Sequence, residues 1–232
     1  MLSIREWDVA YGKSKIVNKV NIDIETSDKV CLMGRNGVGK TTLLKSIMGL
    51  LYSQNGWIVF DGDRITRDKT YQRSRKGMAY VPQGREIIPM FTVRENLELG
   101  SMNHHPKETN QMIEEVLDFF PALKEHLNRK GGVLSGGQQQ QLAISRALMS
   151  KPSILFLDEP SEGIQPNVVA EIASILNRVH KQKSIALFIV EQNLEFALKV
   201  TDRYYMMEKG EIVANGYTKN AYADQITKYL TL

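Results

Sequence analysis

The sequence predicts an α/β fold on a mainly parallel β-sheet, with a helical segment inserted into it. Three observations carry this reading. Residues 1–60 read as short strands, residues 86–149 change to a helical pattern, and strands alternate with helices again from Ile154 onward. The chain has 232 residues, enough for one sizeable core with a small subdomain attached. Apolar residues make up 42% and charged residues 24%, which excludes a disordered, collagenous or disulfide-scaffolded chain.

The elements follow in order. Residues 2–9 and 16–24 are rich in β-branched and apolar residues with turn residues between them, and residues 29–33 form a compact apolar strand. Residues 42–51 carry apolar side chains at 43, 44, 47, 48, 50 and 51, the pattern of a buried helix. Asn55-Gly56 is a turn signal before a strand over 57–60. Thr92-Val93-Arg94-Glu95 is a capping box, and Met112, Ile113, Val116, Leu117 and Phe120 share one helical face that Pro121 is expected to end. A strand at 154–157, a helix opened by Pro166, a strand at 184–190 and a short helix at 194–200 follow. Residues 204–207 and 211–214 read as a hairpin around Lys209-Gly210.

Charge and cysteine content bound the setting. The net charge of +4 is accounted for by scattered solvated Lys and Arg, so no nucleic-acid partner is expected. Cys31 cannot form an internal disulfide and sits in an apolar run, which reads as a buried small hydrophobe in a reducing compartment. Residues 1–6 lack a signal-peptide pattern, and apolar runs such as 185–190 fall short of the roughly 18 residues a membrane helix needs. The chain is not expected to span a membrane by itself.

Gly34-Arg35-Asn36-Gly37-Val38-Gly39-Lys40-Thr41 fits the phosphate-binding P-loop, between a predicted strand and the helix that contains Thr42. Its glycines let successive N–H groups converge on one anion, and the helix N-terminus adds its dipole. Lys40 brings a compact positive charge to the outer phosphates, and the Thr41 hydroxyl is a hard ligand suited to Mg²⁺. Ile154-Leu155-Phe156-Leu157 then delivers Asp158 and Glu159 at the C-terminal end of a strand, where open α/β sheets bind ligands. Asp158 can hold the Mg²⁺ through water, and Glu159 can orient and deprotonate an attacking water. Leu134-Ser135-Gly136-Gly137-Gln138 precedes a helix over 139–149 and makes a second anion-binding N-terminus.

These motifs resemble those of ABC-type ATPases, and the resemblance runs nearly end to end. Residues 34–41 resemble the family's Walker A motif, 154–159 its Walker B motif and 134–138 its signature. Gln83, in Tyr80-Val81-Pro82-Gln83, is similar to the Q-loop glutamine that senses Mg²⁺ and couples to membrane subunits. Tyr11, which alone would read as a packing residue, is similar to the aromatic that stacks on adenine. The resemblance implies a P-loop NTPase (RecA-like) core over 1–85 and 150–232, with an N-terminal antiparallel β subdomain and an inserted α-helical signature subdomain over 86–149. It implies ATP and Mg²⁺ as cofactors and a head-to-tail homodimer, or a heterodimer with a related subunit. Each ATP would lie between one P-loop and the partner's Ser135, Gly136, Gly137 and Gln138. It also implies a cytoplasmic subunit, peripheral on the inner face of the membrane through permease subunits and served by a periplasmic or extracellular substrate-binding protein.

Short strings narrow the resemblance. Val81-Pro82-Gln83-Gly84-Arg85-Glu86-Ile87, Ser161-Glu162-Gly163-Ile164-Gln165-Pro166 and Val190-Glu191-Gln192-Asn193 are similar to the branched-chain amino-acid and urea importer branch. The Glu-Gly-Ile-Gln-Pro run and the glutamines 138–141 are most similar to its urea-type subunit. Two positions depart from the wider family. Gln192 stands where a switch-loop His is usual and offers a neutral NH₂ to the γ-phosphate, and Gln165 stands where an Asp is usual. The alternative is a non-transport ABC ATPase working with soluble assembly or nucleic-acid partners. Against a DNA-maintenance ATPase, residues 42–134 carry no sustained heptad pattern, and against a ribosome-binding one the chain holds a single cassette.

Overall fold

The computed structural model describes residues 1–102 and 104–220, so residues 221–232 of the expected core lie outside the described residues. The chain opens with β1 (Leu2–Tyr11), β2 (Ser14–Ile24) and β3 (Lys29–Met33), then α1 (Lys40–Ile47). Next come β4 (Ser53–Phe60), β5 (Asp63–Arg64), α2 (Thr70–Arg75) and β6 (Met78–Val81). The helices α3 (Val93–Gly100), α4 (Pro106–Leu117), α5 (Pro121–Lys124) and α6 (Gly136–Leu148) follow. The chain then runs through β7 (Ile154–Asp158), α7 (Pro166–Lys183), β8 (Ala186–Glu191), α8 (Leu194–Val200), β9 (Arg203–Glu208) and β10 (Glu211–Tyr217).

Two sheets result. The smaller is antiparallel, in the order β2-β1-β4-β5. The larger runs β10-β9-β3-β8-β7-β6, and every neighbouring pair in it is parallel except β9 with β10. The helices α3 to α6 are inserted between β6 and β7, which are themselves paired neighbours. Three strands, β3, β7 and β8, therefore deliver their C-terminal ends side by side, with Met33 opposite Glu191 and Asp158 opposite Val190.

The central strands are buried on both faces, and their side chains alternate between two cores. Ile154, Phe156, Ala186, Phe188 and Val190 face α1 and the small sheet. Leu155, Leu157, Leu187 and Ile189 face α7 and the inserted helices, including Val93, Leu97, Ile113 and Leu142. Phe156 and Phe188 meet edge to face at 5.8 Å, both fully buried. This double burial explains the near-continuous apolar runs of these strands. Cys31 is buried with Met33, Ala197 and Met206, and burial raises its thiol pKa well above the ordinary value.

Several local expectations need correction. Asn55-Gly56 is no turn: it lies within β4, where the register against β1 shifts between Arg5 and Asp8. Gly56 takes φ 91 there, and a Cβ would come within 2.5 Å of the Arg5 and Glu6 carbonyl oxygens, so the pair makes a bulge. Pro121 does not end the helix before it; α4 stops at Leu117, and Pro121 is the first residue of α5. The helix expected over 42–51 is shorter, because Gly49 at φ 75 terminates it by donating to Ser46 O at 3.0 Å. The helix α6 starts at Gly136 rather than 139, so the two glycines form its first turn. Helix α2 and strand β6 carry too few residues to show a period in the sequence. The capping box is present: Thr92 accepts from the Glu95 N–H, and Glu95 accepts from the Thr92 N–H.

Candidate active site

The loop between β3 and α1 is bent by glycines at positions that tolerate nothing larger. Gly34 has φ 153, and a Cβ there would collide with the Met207 carbonyl oxygen. Gly39, the N-cap of α1, has φ 108 and a Cβ would sit 2.9 Å from the Ile16 carbonyl oxygen. The loop is thus pressed against β9 and β2, while Asn36 and Gly37 remain exposed. Residues 40–43 open α1, and a helix start presents N–H groups that have no partner within the helix. No acidic side chain occupies that first turn.

A cavity of about 410 Å³ lies over this helix start. Tyr11, Asn36, Gly37, Gly39, Lys40, Thr41, Thr42, Gln83 and Glu159 line it, all expected from the sequence. Ile16 also lines it and was not expected; an isoleucine on a strand gives no sign in the sequence that it faces a ligand. Tyr11 is 52% exposed. Gly34, Arg35 and Val38 shape the loop without lining the cavity.

The charged groups of the site compensate one another. Lys40 Nζ donates to the carbonyl oxygens of Gly34 at 2.7 Å and Arg35 at 2.8 Å. It also lies 3.7 Å from Glu159 Oε1. Burial holds the Lys40 pKa below its ordinary value, and the nearby Glu159 and Asp158 carboxylates oppose that shift. Glu159 is pushed above the ordinary glutamate value by burial and by the like charges of Glu162, Asp158 and Glu191, with Lys40 acting the other way. Asp158 is 1% exposed and is also raised by burial, against the hydrogen bonds it accepts from Thr41 and Tyr80.

Those hydrogen bonds fix the carboxylates. Thr41 Oγ1 donates to Asp158 Oδ1 at 3.1 Å, and Tyr80 Oη donates to Asp158 Oδ2 at 3.3 Å. Gln83 Nε2 donates to Glu159 Oε2 at 3.3 Å and to Glu162 Oε2 at 2.9 Å. Tyr80 and Glu162 were missed as site residues, although Tyr80 is the first residue of the string that flagged Gln83. The donor set fits Mg²⁺: the hydroxyl of Thr41 and the carboxylate of Asp158 are adjacent hard oxygens. Among the described residues no cluster of three or more His, Cys, Asp or Glu could hold a metal alone, so a cation here needs phosphate and water as further ligands.

Asp158 is buried and does not itself line the cavity, and two further groups of expected residues stand apart from it. Ser135 caps α6, its Oγ accepting from the Gln138 N–H at 3.3 Å while Gln138 Oε1 accepts from the Ser135 N–H at 3.0 Å. Ser135, Gly136, Gly137 and Gln138 do not line the cavity, and Ser135 is exposed. Gly137 packs so closely that a Cβ would come within 2.5 Å of Val168. Gln192 is exposed beyond β8 and likewise does not line the cavity.

The ABC transporter family matches residues 17–162. The chain is 38% identical over 213 residues to the high-affinity branched-chain amino acid transport ATP-binding protein BraG of Pseudomonas aeruginosa, covering 92% of this chain and 91% of that one. It is 34% identical over 216 residues to a probable branched-chain amino acid transport ATP-binding protein, LivF, of Archaeoglobus fulgidus, covering 93% and 92%. Its fold matches the crystal structure of the ADP conformation of an ATP-binding cassette of an ABC transporter with a TM-score of 0.86 at 28% identity, over 99% and 97% of the two chains. Among the described residues no helix is long and apolar enough to cross a membrane. The chain therefore belongs to the ABC transporter family and is an ABC-type ATPase, an ATP-binding cassette.

Proposed function

We propose that this chain is the ATP-hydrolysing subunit of an importer for branched-chain amino acids or a short amide such as urea. The names of the two curated relatives favour branched-chain amino acids; the Glu-Gly-Ile-Gln-Pro run at 162–166 and the glutamines 138–141 leave urea as the competing cargo. The reading assigns α3 to α6, within residues 86–149, to a signature subdomain and the remaining chain to the nucleotide-binding core. It places the subunit at the cytoplasmic face of the membrane, held by permease subunits and served by a substrate-binding protein.

In this reading Tyr11 stacks on adenine, with Ile16 as an apolar wall beside it. The N–H groups from Gly34 to Thr42 cradle the phosphates. Lys40 leaves the Gly34 and Arg35 carbonyls and neutralises the outer phosphates. Thr41, Asp158 and Gln83 would hold Mg²⁺, which would supply charge neutralisation of the phosphates. Glu159, its pKa raised by burial, takes the proton of the attacking water. Gln83 keeps the Glu159 carboxylate oriented through its NH₂ group, and Gln192 offers a neutral donor to the γ-phosphate.

The observation that carries the reading is the separation of two glycine-rich helix starts. Lys40 opens one inside the cavity; Ser135 caps the other outside it. A single chain leaves the second unused, whereas a second copy placed head to tail completes both cavities. Transport in vesicles reconstituted with the cognate permease tests the assignment. Leucine or urea carried with ATP consumption supports it; uptake of neither removes the assignment to branched-chain amino acids or urea.

A further inference from the structure

The strand β8 ends in a buried acid for which the mechanism above has no use. Glu191 is 1% exposed and lies opposite Met33 in the sheet, one residue beyond the Asp158–Val190 pair. Among the described residues it forms no ion pair with Lys, Arg or His. A buried carboxylate without a cation is costly unless its oxygens are hydrogen-bonded. Here three backbone N–H groups meet that need. Glu191 Oε1 accepts from Ser161 at 3.0 Å, and Oε2 accepts from Gln192 and Asn193, each at 2.9 Å.

The donors belong to two different loops. Ser161 lies two residues after Glu159, whose own N–H donates to the Val190 carbonyl at 2.9 Å. Gln192 and Asn193 form the turn that leads into α8, where the Asn193 side chain accepts from the Phe196 N–H at 3.1 Å. One side chain therefore joins the loop that carries Glu159 to the loop that carries Gln192. We propose that Glu191 is a positioning residue that clasps these two loops, so that Glu159 and Gln192 reach the triphosphate as one unit. A carboxylate is required because both oxygens must accept. A glutamine has one acceptor oxygen and can serve one loop while its NH₂ repels the donor of the other.

The proposal rests on the ATPase reading, and the test separates the two. The full-length wild-type chain with Mg²⁺ and ATP is assayed first; absence of nucleotide binding and turnover there overturns the ATPase reading. The clasp is then read from Glu191→Gln and Glu191→Asp. We expect Glu191→Gln to lower kcat by about tenfold or more while the KM for ATP stays within about threefold, the pattern of an interaction needed after binding. Glu191→Asp keeps acceptors for both loops and should retain more activity than Glu191→Gln. Amide hydrogen exchange of the nucleotide-free protein should speed up at Ser161 or at Gln192 and Asn193 in Glu191→Gln, with the rest of the sheet unchanged. Turnover within about twofold of wild type overturns the proposal, as does a kcat loss matched by an equal loss of ATP affinity. Should the variants fail to fold, exchange in the wild-type chain decides. Equal, strong protection of Ser161, Gln192 and Asn193 supports the clasp, and open-loop exchange at Ser161 overturns it.

Discussion

Lys40 Nζ and Glu159 Oε1 lie 3.7 Å apart, with side chains only 4% and 7% exposed. The cation proposed to hold the triphosphate and the base proposed to activate water thus compensate each other's charge. Removing one partner of such a buried pair leaves an uncompensated charge. Nucleotide entry must therefore redistribute this contact, and substitutions on its two sides should act on different steps.

Glu159→Gln keeps the shape and the donor environment of the site but removes the base. ATP binding should persist while kcat falls by about 10²–10⁴-fold, the range attributed to general acid–base catalysis. Equilibrium binding of a fluorescent ATP analogue, with phosphate release on the same sample, checks this. Undiminished turnover would remove Glu159 from its role.

Lys40→Ala strikes earlier. It deletes the donor now folded onto the Gly34 and Arg35 carbonyls and leaves Glu159 buried without its cation. Nucleotide affinity should drop by about tenfold or more, as for loss of a charge-assisted contact of roughly 1.5–3 kcal/mol. Wild-type affinity measured by calorimetry would rule Lys40 out as a phosphate ligand.

Tyr11→Ala should raise the KM for ATP by about five- to a hundredfold, with kcat little changed, since base–aromatic stacking contributes about 1–3 kcal/mol. Tyr11→Trp should restore binding. If the alanine variant loses thermal stability and keeps its KM, Tyr11 is a packing residue after all.

The pH dependence follows from the direction of the Glu159 shift. A carboxyl group raised above its ordinary value gains its proton at a higher pH on acidification, so the base is lost sooner. Turnover should fall on the acid side at a pH above the ordinary glutamate range. Replacing all four histidines should leave that limb in place, because Gln192 supplies no titrating group. A limb that disappears with the histidines would contradict this account.

Much of the site was legible in the sequence because its chemistry needs residue types at fixed spacing. Glycines that must turn, a lysine and threonine at a helix start, and two acids at a strand end are local patterns; Gly37, Gly39, Lys40, Thr41 and Glu159 line the cavity, and Asp158 joins them through the hydrogen bond from Thr41. What escaped depends on contacts between distant segments. Ile16 lines the cavity only because β2 passes over Gly39. Tyr80 donates to Asp158 and Glu191 accepts from the Ser161 N–H across the sheet, and neither sits in a spacing that announces it. The core strands were legible from their apolar runs, since burial on both faces erases polar alternation. The bulge at Gly56 was misread because Asn-Gly serves a hairpin turn and a strand bulge equally well; only the opposing carbonyls of Arg5 and Glu6 distinguish them.

The mass of the Glu159→Gln chain in solution, with and without Mg²⁺-ATP, tests the two-copy site most directly. Light scattering should report a monomer without nucleotide and twice that mass with it, and the doubling should vanish when Ser135→Arg blocks the start of α6. A chain that binds ATP at Lys40 yet stays monomeric at high concentration, or that dimerises equally well with Ser135→Arg, would contradict the account.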